Sequence, residues 1–307
     1  MMPTDPPPPN SSSVSPLVTF SCRSTPAAAS AELGSTAASS HDTDSGLREP
    51  VCHAGRVPCV TSLDALHRAV AEFAVTDPGL VIEPPARAAA RQSLDSAGLL
   101  LLGESHGVRE NPLLIRALMR AFGLTSLALE WPEDLAPVIE AFLAGQALAG
   151  HWFVWAGDGR ITAGHLAVLA ERAAAGPLDL ILFDGAIGAD WSWSQRDEAM
   201  ARRILAASAP GARTLVVAGN AHTPTSPTEL GVPMGARLAG QRPGVREIRI
   251  SCGGGGFYNG GPRQFARRAD PQDAIRLYQH DSELVLDLPL ATEAVVPHRP
   301  QAGGEAP

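Results

Sequence analysis

Four consecutive leucines, Leu99–Leu102, run directly into Gly103, Glu104, Ser105 and His106. An apolar block that short, bounded by Gly98 and Gly103, suits a central parallel strand covered on both faces better than a helix. The ionisable groups then fall in the loop that follows, where Arg109 and Glu110 join them. Asn111 is expected to cap the next helix, with Pro112 at its first position, because proline has no N–H to leave unpaired there. In open α/β sheets such a loop lies at the carboxyl edge, where ligands bind.

The pattern recurs. The run 126–129 ends in Glu130, the run 178–183 ends in Asp184, and the run 214–218 leads into Gly219, Asn220, Ala221 and His222. Helical spacing predicts helices over 62–75 (capped by a Thr61–Asp64 box), 112–122, 134–149, 162–175, 192–208 and 233–239, with another from about Pro271. A short Ala- and Arg-rich helical segment precedes the central strand, and further strands are expected near 245–251 and 282–288. This alternation predicts an α/β fold, a layered structure with a mainly parallel central sheet flanked by helices, built as a single domain over 52–290. Residues 1–50, with PPPP and SSS and few large apolar side chains, read as a disordered tail, and 291–307 as a second, flexible one.

Parallel strands would bring Glu104, His106, Glu130, Asp184 and His222 to one edge, and these are the candidate catalytic residues. An imidazole near neutrality takes a proton from water while a carboxylate fixes its tautomer. The same set offers a divalent metal two imidazoles, His106 and His222, and a carboxylate, with a position left for water. Arg109, Arg116 and Arg196 are candidates to hold an oxyanion or to pair with the carboxylates, Arg196 beside Asp197 having also the look of a surface ion pair. Asn220, Trp155 and Trp193 are candidate substrate contacts. All five tryptophans (Trp131, Trp152, Trp155, Trp191 and Trp193) follow strands or helices, as a lid or as loop anchors would.

Composition removes several chemistries. All 24 basic residues are arginine, so there is neither a Schiff-base lysine nor a Walker A phosphate loop. A formal charge of −8 argues against nucleic acid or a membrane surface as partner; the partner expected is a small-molecule substrate. No GxSxG elbow is present. Cys22, Cys52, Cys59 and Cys252 are scattered and read as free thiols, and Cys52, His53 and Cys59 match no common zinc spacing. No apolar run is long enough to span a membrane and no secretory signal is evident, so a cytoplasmic location is expected.

Over about 99–238 the order LLLGESH, LALEWPE, ILFDG, Arg196–Asp197 with Met200, and LVVAGNAH followed by GVPMGARL resembles the haem-binding-uptake and Tiki superfamily. That group contains ChaN-like proteins, Tiki and TraB proteins, and erythromycin esterases. The resemblance implies an α/β fold with its site on Glu104, His106, Glu130 and His222. Erythromycin esterases are similar in the Arg–Asp helix and late histidine, and are understood as metal-independent hydrolases with a histidine base. Their glutamate and first histidine usually lie two residues apart, whereas Ser105 alone intervenes here. The Gly103–His106 spacing looks more like the GxxH of Tiki proteins, which are metal-dependent proteases, and of ChaN-like proteins, which bind haem. The expectation is a hydrolase of an ester or amide bond in a small organic or peptide substrate, with or without a divalent metal. The alternative is a non-catalytic haem- or iron-binding protein of ChaN-like type.

Overall fold

The computed structural model describes residues 60–148, 150–185, 192–209, 211–270 and 272–298. In chain order the elements are α1 (Leu63–Glu72), β1 (Val81–Ile82), α2 (Pro84–Ala97), β2 (Leu99–Glu104), α3 (Asn111–Phe122), β3 (Ser126–Pro132), α4 (Ala136–Leu143) and α5 (Ala163–Ala175). They continue as β4 (Asp179–Asp184), α6 (Trp193–Ala207), β5 (Thr214–Gly219), α7 (Met234–Gln241), β6 (Arg246–Cys252), β7 (Gly256–Tyr258), β8 (Pro262–Gln264), β9 (Arg276–His280) and β10 (Glu283–Leu288). Eight strands form one sheet in the order β1-β9-β10-β6-β2-β5-β3-β4, and β7 pairs with β8 apart from it. From β10 to β4 every neighbouring pair is parallel; β9 runs antiparallel to β10 and carries β1 parallel to itself. The expected α/β architecture is the one observed, and the four runs that ended in ionisable residues are the adjacent strands β2, β5, β3 and β4.

The leucine run works because alternate residues serve opposite layers. Leu100 and Leu102 join Leu127, Leu129, Leu215 and Val217 under the layer of α2, α3 and α5, while Leu99 and Leu101 join Ala128, Phe183, Val216 and Ala218 under α6 and α7. All four leucines are fully buried, each contributing roughly 1.5–3 kcal/mol by leaving water. The sheet is thereby fixed from both sides, and its carboxyl edge becomes a rigid rim.

Several local expectations are corrected. Ser62, not the Thr61–Asp64 pair, caps α1, accepting the Ala65 N–H. Asn111 is the first residue of α3 rather than its cap, and its buried amide donates to the Ser105 carbonyl at 2.8 Å. The helix expected over 134–149 has a 3₁₀ turn at Glu133–Leu135, becomes α-helical at Ala136 and stops at Leu143, ahead of Gly145 at φ 84°. The helix expected from about Pro271 is replaced by β9, which pairs with β1 and β10 and buries Leu277. The box Ser192–Gln195 on α6 and the left-handed Gly123 closing α3 match expectation. Residues 291–298, assigned to the tail by composition, instead bury Ala291, Ala294 and Val296, with Ala294 N donating to the Gly107 carbonyl. Residues 1–50, Cys52, His53, Cys59 and Trp191 lie outside the described residues. No helix among the described residues is long and apolar enough to cross a membrane.

Candidate functional site

Each functional side chain is placed by the end of a strand or the loop beyond it. Glu104 closes β2, and its carbonyl accepts the Asn220 N–H at 2.9 Å, so β2 and β5 stay in register to their last residues. The chain then turns at Gly107, whose φ of 69° and contact with the Tyr258 carbonyl leave no room for a side chain. Asn111 holds the Ser105 carbonyl, and His106 is fixed between these two anchors. Glu130 sits where β3 shifts register against β4, between Leu129 and Pro132. An irregularity of this kind re-aims a side chain at a strand end.

His106 and Glu104 form one pair. Nδ1 of His106 lies 3.2 Å from Oε1 of the buried Glu104, so the nitrogen donates and Nε2 is left facing the edge, 4.0 Å from Oε2 of Glu130. Gly219 sets this clearance: a Cβ there would stand 2.9 Å from His106 Nε2. Burial works against the His106 cation, but the Glu104 hydrogen bond and the Glu130 charge outweigh it, raising the pKa above the ordinary histidine value.

His222 and Asp197 form the second pair. Nδ1 of His222 lies 2.8 Å from Oδ1 of Asp197, which also accepts the Met234 N–H at the start of α7. Nε2 of His222 lies 2.9 Å from Nη1 of Arg196. Arginine can only donate, so Nε2 of His222 is the acceptor of that contact and Nδ1 is the nitrogen that donates to Asp197. Trp193 stacks on the ring at 4.5 Å and 14°.

Between the pairs lies a buried ion cluster. Glu130 Oε1 is 2.5 Å from Arg196 Nη2 and 3.6 Å from Arg160 Nη1, and its Oε2 accepts the Gly219 N–H at 2.7 Å. Asp184 takes Arg160 at 2.7 Å and Arg196 at 2.8 Å, while Asp158 holds Arg160 from its other side at 2.7 Å. Burial alone would raise the Glu130 pKa, but the cationic groups around it, the Arg196 and Arg160 guanidiniums among them, bring it far below the usual carboxylate range. The cluster is a fixed field at the edge, satisfied internally rather than by solvent.

All five candidate catalytic residues thus converge. Trp193 joins them by stacking on His222, but the other proposed substrate contacts do not. Arg109 is exposed, its guanidinium 5.5 Å over the Phe73 ring; Arg116 pairs with Glu171 at 2.7 Å. Trp155 packs against the core of the α2–α3–α5 layer. Asn220 is exposed and lines a separate cleft of about 500 Å³ with Pro224, Arg246 and Glu247. Arg196 is buried rather than superficial. Arg160 and His165 were not singled out by sequence, since a loop arginine and a lone helical histidine carry no periodic signal, and Asp197 was noted only beside Arg196 in the motif order.

The donor set does not fit a metal held by His106 and His222. The Nε2 lone pair of His222 is taken by Arg196, whose positive charge occupies the position a cation would need. Among the described residues no three His, Cys, Asp or Glu side chains are grouped so as to hold a metal ion. Burial pushes the Cys252 thiol up to about 12, away from a reactive thiolate.

No family model and no curated protein sequence matches the chain. Solved structures similar to it include one described as bacterial protein toxins, 21% identical with a TM-score of 0.40, covering 61% of this chain and 39% of that one. The C-terminal region of Pasteurella multocida toxin, described as carrying a thiol-protease-like catalytic triad, is 11% identical with a TM-score of 0.40, covering 73% of this chain and 28% of that one. A Bacillus cereus protein is 11% identical with a TM-score of 0.43, covering 77% of this chain and 94% of that one. This chain therefore spans less than half the length of the two toxin structures. The three descriptions name no Tiki, ChaN-like or erythromycin esterase protein.

Proposed function

We propose that this protein is a hydrolase of an ester or amide bond in a small organic or peptide substrate, of the histidine-base kind that its motif order resembles. The observation that carries the reading is the partly exposed His106, whose Nδ1 is engaged by buried Glu104 while Nε2 stays free at the carboxyl edge. In that arrangement His106 takes a proton from water at Nε2, and Glu104 keeps the tautomer and offsets the imidazolium charge. Glu130 adds a second negative charge on the Nε2 side. Arg160 and Arg196 hold Glu130 ionised and keep Glu130 and Asp184 in place. His222 keeps Arg196 aimed, a positioning role rather than that of an acid or metal ligand, and the half-exposed Trp193 offers an apolar rim to a substrate.

The test is turnover on a panel of p-nitrophenyl esters and peptide nitroanilides. A general base contributes about 10²–10⁴-fold, so His106→Ala is expected to lower the rate by at least ~100-fold with circular dichroism unchanged. Full activity in that variant would remove the proposal.

A further inference from the structure

Glu104 makes a demand that the pair with His106 does not meet. Oε1 faces His106, but Oε2 is buried and has no hydrogen-bond partner. The nearest complementary atom is Nε2 of His165, 3.9 Å away on the first turn of α5. His165 is itself buried, edge-on to Trp131 at 6.1 Å. Its Nδ1 lies 2.9 Å from Oγ1 of Thr162, the residue that caps α5 by accepting the His165 N–H.

Electrostatics choose one tautomer. With the proton on Nδ1, the Thr162 oxygen would accept twice and the Nε2 lone pair would point at a carboxylate, which is repulsive. With the Thr162 hydroxyl donating to Nδ1, its oxygen keeps the cap, and an Nε2–H faces Oε2 of Glu104. Burial disfavours the His165 cation and is only partly opposed by Glu104, so the ring is neutral. The groups facing Glu104 and His106 are then His165 from α5, Glu130 from β3 and Arg160 from the loop before α5.

We infer that His165 is a positioning residue for the Glu104–His106 pair, forming with Thr162 a buried line in which Thr162 sets the His165 tautomer and His165 Nε2–H holds Oε2 of Glu104. This rests on the reading of His106 as the base. The 3.9 Å gap is about 1 Å longer than a hydrogen bond, the kind of looseness that tightens when substrate enters. Holding Oε2 leaves Oε1 as the only oxygen turned to His106, so the base keeps one orientation.

Imidazole ¹H–¹⁵N spectra of the full chain at a fixed pH of about 7 test this without a substrate. In the wild type, His165 is expected as the neutral Nε2–H tautomer and His106 as a downfield Nδ1 proton. Thr162→Val should convert part of His165 to the Nδ1–H form. His165→Phe should move or broaden away the His106 Nδ1 proton, and His165→Gln, whose amide can still donate to Glu104, should restore it. A wild-type His165 protonated on Nδ1, or an unmoved His106 signal in folded His165→Phe, would overturn the inference. Should His165→Phe not fold, the wild-type tautomer and Thr162→Val decide it. The two claims fail separately: turnover surviving His106→Ala removes the base, whereas an unmoved His106 signal in an enzyme that needs His106 removes only the role of His165.

Discussion

The two histidine–carboxylate pairs look alike by residue type and are built for opposite tasks. His106 and Glu104 sit on the α5 side of the sheet, with one ring nitrogen left open at the edge. His222 and Asp197 sit on the α6 side, and there every ring atom is spoken for: Asp197 at Nδ1, Arg196 at Nε2 and Trp193 on the face. A histidine with both nitrogens satisfied is a strut, and one with a free nitrogen beside a fixed carboxylate is a reagent. Damage to the first pair should therefore appear in rate, and damage to the second in stability.

The largest effect is expected at the group that joins them. Arg196→Leu leaves Glu130 and Asp184 buried with only Arg160 to share, and breaking a buried pair in this way costs roughly 3–5 kcal/mol. Urea denaturation would measure it; a loss below ~1 kcal/mol would mean that water reaches the cluster. The same ions give an acid signature. Glu130 has a depressed pKa, so its stabilisation is fully present above the ordinary carboxylate value of 4.5 and is lost as pH falls below that toward its folded pKa. Wild type should lose stability in that window, and Glu130→Gln should lose less.

Next in size is the direct contrast of the two histidines. His222→Ala leaves the buried Asp197 with only the Met234 N–H and one arm of Arg196 without a partner, each lost contact costing ~1–3 kcal/mol. His106→Asn, whose amide N–H can take the place of Nδ1 and so does not strand the buried Glu104, should stay within about 1 kcal/mol of wild type. Equal losses of stability in the two variants would collapse the distinction.

Sequence showed the frame of this site better than its wiring. Four apolar runs leading into Glu104, Glu130, Asp184 and His222 were enough to predict a mainly parallel sheet and a common edge, though not that the four strands are neighbours, because burial on both faces leaves a continuous hydrophobic signature. What joins the edge was not visible. Arg196 sits where a surface ion pair is ordinary, and only the fold shows it buried under Trp193. His165 lies in the Ala- and Leu-rich helix α5, where one histidine carries no positional signal. Arg160 is delivered by a loop whose path depends on Gly159 fitting against Gly107. Long-range side-chain pairing leaves no periodic trace, so Arg109 and Arg116, equally placed by sequence, turned out to serve Phe73 and Glu171.

A smaller effect is expected at the lid of the strut. Trp193→Ala removes a stacked ring pair worth about 0.5–1.5 kcal/mol beyond buried area. It should also weaken apolar substrates through KM while leaving kcat largely intact, since Trp193 touches His222 and not His106. A selective loss of kcat would place His222 in the chemistry after all and erase the contrast.

The finest test concerns how the open pair responds to pH. Burial lowers the His106 pKa, but the hydrogen bond to Glu104 and the charge of Glu130 raise it by more, so it lies above 6.5. A base must be neutral, and the rate should therefore climb as pH rises through that raised value. Glu104→Gln keeps the shape and can still accept from Nδ1, yet removes one of the charges that favour the cation. Its acid limb should lie at lower pH than that of wild type, with a reduced plateau from the less basic imidazole. Stability follows the same group with the opposite consequence: the contribution of His106 is complete below 6.5 and disappears as pH rises through its folded pKa. The stability difference between wild type and His106→Gln should accordingly be greatest on the acid side and shrink toward alkaline pH. An acid limb that stays put in Glu104→Gln would mean that the titrating base is not the histidine Glu104 holds, and the division of labour between the two pairs would have to be drawn again.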